Sequence, residues 1–330
     1  MVFKKLLTAL GIGGPSVDTV LQHPHVRPGG NLAGEVHITG GSQEVLIEHV
    51  TIGLVTRIET EHGDHEGHAE VEFHRVVVGG RFQLGEGEHK TIPFELPVPW
   101  QTPITSVHGE HLHGMALGVR TELAVAKVAD KGDLDPVSVE PLPGQQRVLE
   151  AFSQLGFQFK GADLEHGRLH GVHQELPFFQ EIEFFPPAQF AGRINEVELT
   201  FVAGQDGMDV VLEADNRSGF LTPSQDTFGR FHVTHEEALD TDWAGHVHGW
   251  LEQVVEQRGT MGDHGYGQPY GHHYDHHYDR YEREHHGRGP GMGGMVAGAA
   301  LGVGAGILGG MVAAEVIDEV GDFFEGEEEG

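Results

Sequence analysis

The chain has 330 residues, enough for about two domains of roughly 150 residues each. Its 51 acidic and 20 basic side chains leave a formal charge of −31 with histidine neutral. That charge argues against a broad phosphate-binding surface and against docking on anionic lipid heads, since both need clustered Lys and Arg. There is no cysteine, so disulfides, zinc ribbons, iron–sulfur clusters and thiol catalysis are excluded together, and the usage fits a reducing compartment. The 26 histidines stand out: protonating many of them near pH 6 would cut the net charge by more than half and make solubility strongly pH-dependent.

Taken in chain order, Met1–Leu10 carries Lys4 and Lys5, but Gly11, Gly13, Gly14 and Pro15 interrupt it before a secretory h-region forms. A first amphipathic turn docked on the first domain is expected there, in an intracellular, cytoplasmic protein. Residues 17 to about 129 then read as strands. Val50, Ile52, Leu54 and Ile58 alternate, as do Val71, Phe73 and Val77; Ile92, Phe94 and Leu96; and Leu117, Val119, Leu123 and Val125. The glycine pairs Gly29-Gly30, Gly40-Gly41 and Gly79-Gly80 punctuate these runs at the spacing of an antiparallel sandwich. Pro93, Pro97 and Pro99 cannot donate to a ladder and mark an edge. Asp133–Gly144 is proline-rich and reads as an inter-domain connector that lets the domains shift.

A short helix with Val148, Phe152 and Leu155 on one side is expected next, then strands again through Pro177–Pro187, Val197–Phe201 and Met208–Leu212, with Gly204–Gly207 as a hairpin loop. Trp243, Val247, Trp250, Leu251 and Val254 form one helical stripe, with Asp240 or Thr241 as its cap. The expected fold class is therefore all-β. Two sandwich domains, over 1–132 and 145–258, flank the connector at 133–144, with short helices, the second domain ending in an amphipathic one. Residues 259–289, rich in His, Tyr and Gly, cannot bury a core and are expected to be disordered. Residues 290–314 are uncharged, and 315–330 hold eight acids and no base.

Three signals bear on chemistry. His62, His65 and His68 lie at regular spacing among Glu61, Asp64 and Glu66 in an expected loop; imidazole suits Zn, Ni and Cu, so a metal-buffering or sensing protein is the alternative function. A fixed site needs packed ligands and a supporting shell, and a solvated acid-rich loop is the plainer account. His108, His111 and His113 make a second cluster, and His264, His272, His273, His276, His277, His285 and His286 decorate the tail. For catalysis, no nucleophile elbow, phosphate loop, dinucleotide fingerprint or zincin motif is present; Glu181 and Glu183 share a face at i, i+2 but alternate with Ile182 and Phe184 as the wet side of a strand. No cofactor and no enzymatic activity are expected.

The third signal is Gly294, Gly298, Gly302, Gly306 and Gly310, one every fourth residue. On a helix these make a side-chain-free groove, a glycine zipper, and the 26 uncharged residues from Gly289 to Ala314 would extend roughly 39 Å. Membrane association, pairing between copies in water, and an unstructured tail all stay open. Insertion would keep the flank of Arg280, Arg283 and Arg288 on the cytoplasmic side.

Val26-Arg27-Pro28-Gly29-Gly30 leads into Gly34-Glu35-Val36 and Gly40-Gly41. Later come Ile92-Pro93-Phe94-Glu95-Leu96-Pro97, Pro99-Trp100-Gln101-Thr102-Pro103, Leu155-Gly156-Phe157, Phe179-Gln180-Glu181-Ile182-Glu183-Phe184 and Asp242-Trp243. As an ordered set over residues 1–255 these resemble the bacterial stage-zero sporulation protein M family, the sporulation-control proteins. The resemblance implies an arrestin-like fold of two tandem β-sandwiches and a regulatory or scaffolding role around sporulation and cell division, with no catalytic residues to carry over. The expected partners are proteins, met at sheet edges and loops, with no nucleic acid. Residues beyond about Gly259 fall outside the resemblance, so attachment to a membrane or to another copy through 290–314 rests on spacing alone.

Overall fold

The computed structural model describes residues 13–62, 65–126, 131–215 and 227–262. The first half contributes β1 (Ser16–Leu21), β2 (His25–Val26), β3 (Asn31–Thr39), β4 (Val45–His62), β5 (His65–Gly79), β6 (Phe82–Leu84), β7 (His89–Pro97), β8 (Ser106–Val107), β9 (Glu110–His111), β10 (Leu117–Val125), β11 (Lys131–Pro136) and β12 (Ser138–Val139). The second half follows with α1 (Pro143–Leu155), β13 (Gln158–His166), β14 (Phe178–Phe185), β15 (Glu196–Ala203), β16 (Gly207–Asp215), β17 (Thr227–Thr234), α2 (Glu237–Asp240) and α3 (Trp243–Gly262). The chain is thus mainly β.

In the first half a three-stranded sheet, β1-β3-β7, lies against the face of a larger one. Val50, Ile52, Leu54 and Ile58 of β4 are all buried, as the alternation requires. Across the gap the hydroxyls of Thr19 and Thr121 meet, and the Thr19 N–H donates to Asp133 at 2.6 Å. β7 carries Pro93 and Pro97 at the edge of its sheet, where a missing N–H costs no ladder bond.

The alternation expected for Val71, Phe73 and Val77 fails at its last member. Bulges opposite Leu54/Val55 and Val50/Thr51 each put one extra residue into β5, so Val76 and Val78 turn toward the core and Val77 is 62% exposed. The connector also differs from expectation. Residues 131–136 form β11 against β10, and 138–139 form β12, parallel to β2. Leu134, Val137, Val139 and Leu142 are buried, so this segment is tied to the first half rather than left slack.

The second half departs further from the sandwich expected for it. Its described strands make one antiparallel run, β13-β14-β15-β16-β17, which joins the first half through a single parallel pair, Glu165 opposite Glu59 of β4. Helices cover the face a second sheet would take. Phe152 of α1 packs on Phe184 with ring centroids 4.7 Å apart, and on Phe157 at 4.4 Å. Trp243, Val247, Trp250, Leu251 and Val254 of α3 are all buried, as their spacing predicts. Trp250 lies over Gly229 of β17, where a Cβ would stand 2.7 Å from the indole. The helix is capped not by Asp240 or Thr241 but by Asp242, whose carboxylate accepts from the Gly245 N–H at 3.0 Å. One apolar cluster runs unbroken from Leu32 in β3 to Val254 in α3. Among the described residues no helix is long and apolar enough to cross a membrane. The five glycines from Gly294 to Gly310, the histidine-rich 259–289 beyond Gly262, and the acidic end lie outside the described residues.

Candidate functional site

The most concentrated chemistry is on the face of the β13–β17 run turned away from the helices. Along β14, Phe178, Gln180, Ile182 and Phe184 point inward and are buried, so Glu181 and Glu183 emerge together on the other side. Neighbouring strands repeat the i, i+2 acids: Asp163 and Glu165 on β13, Glu196 and Glu198 on β15, Glu213 on β16. Register then lines them up. Asp163 is opposite Glu181, Glu183 opposite Glu198, and Glu198 opposite Glu213. Like charges directly across a ladder repel, so something must neutralise them. Lys160 does so at one end, reaching Glu183 at 3.1 Å and Glu196 at 2.6 Å. At the other end Arg230 and His232 reach Asp209 at 3.0 and 3.2 Å.

Between those ends the proton takes over. Burial, then the charges of Glu198, Asp163, Glu165 and Glu213, push Glu181 up to about 9. Asp163 rises to about 7 for the same first reason, with Glu183, Glu165, Glu59 and Glu198 adding to it. Glu196 is raised by burial and by its hydrogen bond with Glu183, against the pull of Lys160. The face therefore carries less negative charge near neutrality than its formula suggests. The same sheet in the first half is balanced by guanidinium groups: Arg75 bridges Glu72 and Glu122, and Arg120 meets Glu70.

Two trios, Glu59–Asp163–Glu165 and Glu181–Glu198–Glu213, bring one carboxylate oxygen from each member within 4.8 Å of the others. All-oxygen sets of this kind suit hard cations such as Ca²⁺ or Mg²⁺ rather than the Zn or Ni that imidazole favours. Among the described residues, no histidine enters such a group.

His62, His65 and His68 are placed on strands, not in a loop. His62 and His65 are direct partners at the tip of the β4–β5 hairpin, and His68, exposed, is opposite Glu59. The side chains of residues 60–66 lie outside what the structure describes, so of the trio only His68 has a described side chain. His108, His111 and His113 are all exposed. His108 sits at φ 55° and Gly109 at φ 79° in the two-residue turn between β8 and β9, a position that needs the left-handed region twice. The Gln146 side-chain amide donates to the His108 ring at 2.8 Å. Sequence reasoning found Glu181 and Glu183 but passed over Asp163, Glu165, Glu198 and Glu213; the signal that would have found them is the repetition of period-two acids on consecutive strands.

These features define a β-rich protein whose chemistry lies on open sheet faces. The chain belongs to the Spo0M family: the family model described as SpoOM protein matches residues 3–218. It is 34% identical over 263 residues to the sporulation-control protein spo0M of Bacillus subtilis (strain 168), a match covering 77% of this chain and 98% of that one. The crystal structure of Spo0M, sporulation control protein, from Bacillus subtilis superposes with a TM-score of 0.62 at 30% identity, covering 74% of this chain and 99% of the other.

Proposed function

We propose that this chain is a non-enzymatic regulatory scaffold in sporulation or cell-division control, working through protein–protein contacts. The observation that carries the reading is the relationship to a sporulation-control protein along almost that protein's whole length. The arrestin-like fold that the family resemblance implies would extend it, β-rich lobes acting through their surfaces; here the first lobe supplies two packed sheets while helices back the second. β17 closes the described sheet with only β16 beside it, and its Thr227–Thr234 backbone suits strand addition by a partner peptide. β7, with two prolines, suits it less. The glycine register at 294–310 would add an attachment, to a bilayer or to a second copy.

The test is complementation. A Bacillus subtilis strain lacking its sporulation-control protein, supplied with this chain, is expected to recover its sporulation frequency. Failure to recover, with the chain present and folded in the cells, would overturn the reading.

A further inference from the structure

The two halves meet along a seam of neutral polar groups beneath Trp100. The indole packs over Gly29, where a Cβ would stand 2.6 Å from its atoms, and stacks on the His235 ring of the second half with centroids 5.3 Å apart. Next in the chain, Gln101 donates to the His173 carbonyl at 3.0 Å and accepts from the Glu175 N–H at 2.7 Å. From β14, Gln180 reaches back to both backbone groups of Ile104, accepting from its N–H at 3.0 Å and donating to its carbonyl at 2.7 Å. One side-chain amide thus does for Ile104 what a neighbouring strand would do. Gln145 of α1 accepts from the Leu142 N–H at 2.8 Å close by.

Among these residues is a cavity of about 20 Å³, walled by Trp100, Gln101, Thr102, Gln145, Gln180 and Phe201 among others, with no charged side chain in its lining. Thr102 is 3% exposed, and its hydroxyl has no hydrogen-bond partner in the protein. A buried hydroxyl left unsatisfied bears the desolvation penalty of that group with nothing to offset it, so the site calls for a ligand. The space exceeds the roughly 10–15 Å³ that one water needs and admits nothing larger. Without a counter-charge the lining would hold neither a cation nor an anion.

We infer that this cavity binds a single internal water on the Thr102 hydroxyl, completing the polar seam that joins the two halves. The water is flanked by groups from both sides of the joint: Trp100, Gln101 and Thr102 from the first half, Gln145, Gln180 and Phe201 from the second.

The test uses the full chain. A crystal structure that shows ordered water is expected to place density about 2.7–2.8 Å from the Thr102 hydroxyl oxygen, and water–protein cross-relaxation in solution to report a bound water at the β protons of residue 102. Thr102→Ser should retain both signals, whereas Thr102→Val should lose both. A dry cavity in the wild-type protein overturns the inference, as does a Thr102 hydroxyl that turns to a protein acceptor, or a water retained unchanged in Thr102→Val. Should Thr102→Val not fold, the wild-type density and cross-relaxation decide alone.

Discussion

Glu181 illustrates how one carboxyl can govern the pH response of a sheet. Its pKa is 4.5 as a free side chain and about 9 in the fold, so between those values the folded state holds a proton that the unfolded chain releases. Stability then falls as pH rises through that window and is lowest above it. Glu181→Gln keeps the neutral shape at every pH. The variant and the wild type are expected to melt together below pH 4.5 and to diverge toward pH 9, the variant ending several kcal/mol more stable and correspondingly higher in Tm. Parallel curves in a thermal melt series would exclude proton storage at this residue. Asp163→Asn should act in a lower window, between 3.8 and about 7. Gly229 offers a contrasting case, where size alone decides. A methyl there meets the Trp250 indole at 2.7 Å, and the ring is held between α3 and β17. Gly229→Ala is expected to cost about 1–3 kcal/mol by denaturant titration, an effect no composition argument would suggest.

Among the elements, α3 and β5 mark the two extremes of legibility. The five-residue stripe of α3 was readable because a 3.6-residue period has no plausible strand counterpart over that length, and all five residues are buried. Its cap was misplaced by one or two residues because Asp240 and Thr241 end the short helix α2, leaving Asp242 to begin the next. Asp242→Ala should cost about 1 kcal/mol in a urea melt; no change would assign the cap elsewhere. In β5 the pattern misleads, since each bulge shifts the inward face by one residue and composition carries no sign of where a bulge falls. Removing Phe152, which touches both Phe157 and Phe184, should destabilise the second half by about 3–5 kcal/mol in Phe152→Ala. For the glycine register, fractionating the full chain beside one ending at Gly289 separates the readings: loss from the pellet on truncation supports insertion, and identical soluble behaviour ends that reading.

At the level of the whole molecule, a β-rich chain was legible, because alternation, glycine pairs and edge prolines all point the same way. The replacement of a second sheet by helices was not. An amphipathic helix announces which of its faces is apolar but not which surface it will cover, and Val148 and Phe152 would look the same at the end of a sandwich as across its face. The acidic face was half-legible for a related reason: Glu181 and Glu183 share a side by strand geometry, but which strands lie beside β14 depends on long-range pairing. Nor did Gln101 and Gln180 signal their bridging role, since a glutamine carries no pattern until its partner backbone is in place.

The length of β4 bears on how the chain is made. This single strand pairs with β5, β6 and β10 of its own half and touches β13 of the other. During synthesis β5 emerges immediately after it, so the hairpin can zip locally before any distant segment arrives, whereas β13 reaches it only after some hundred further residues and across one carboxylate pair. A ribosome-stalled chain from which Val139 has just cleared the exit tunnel is thus expected to resist protease over its first half before the later strands emerge, giving the nascent polypeptide a finished template on which they assemble.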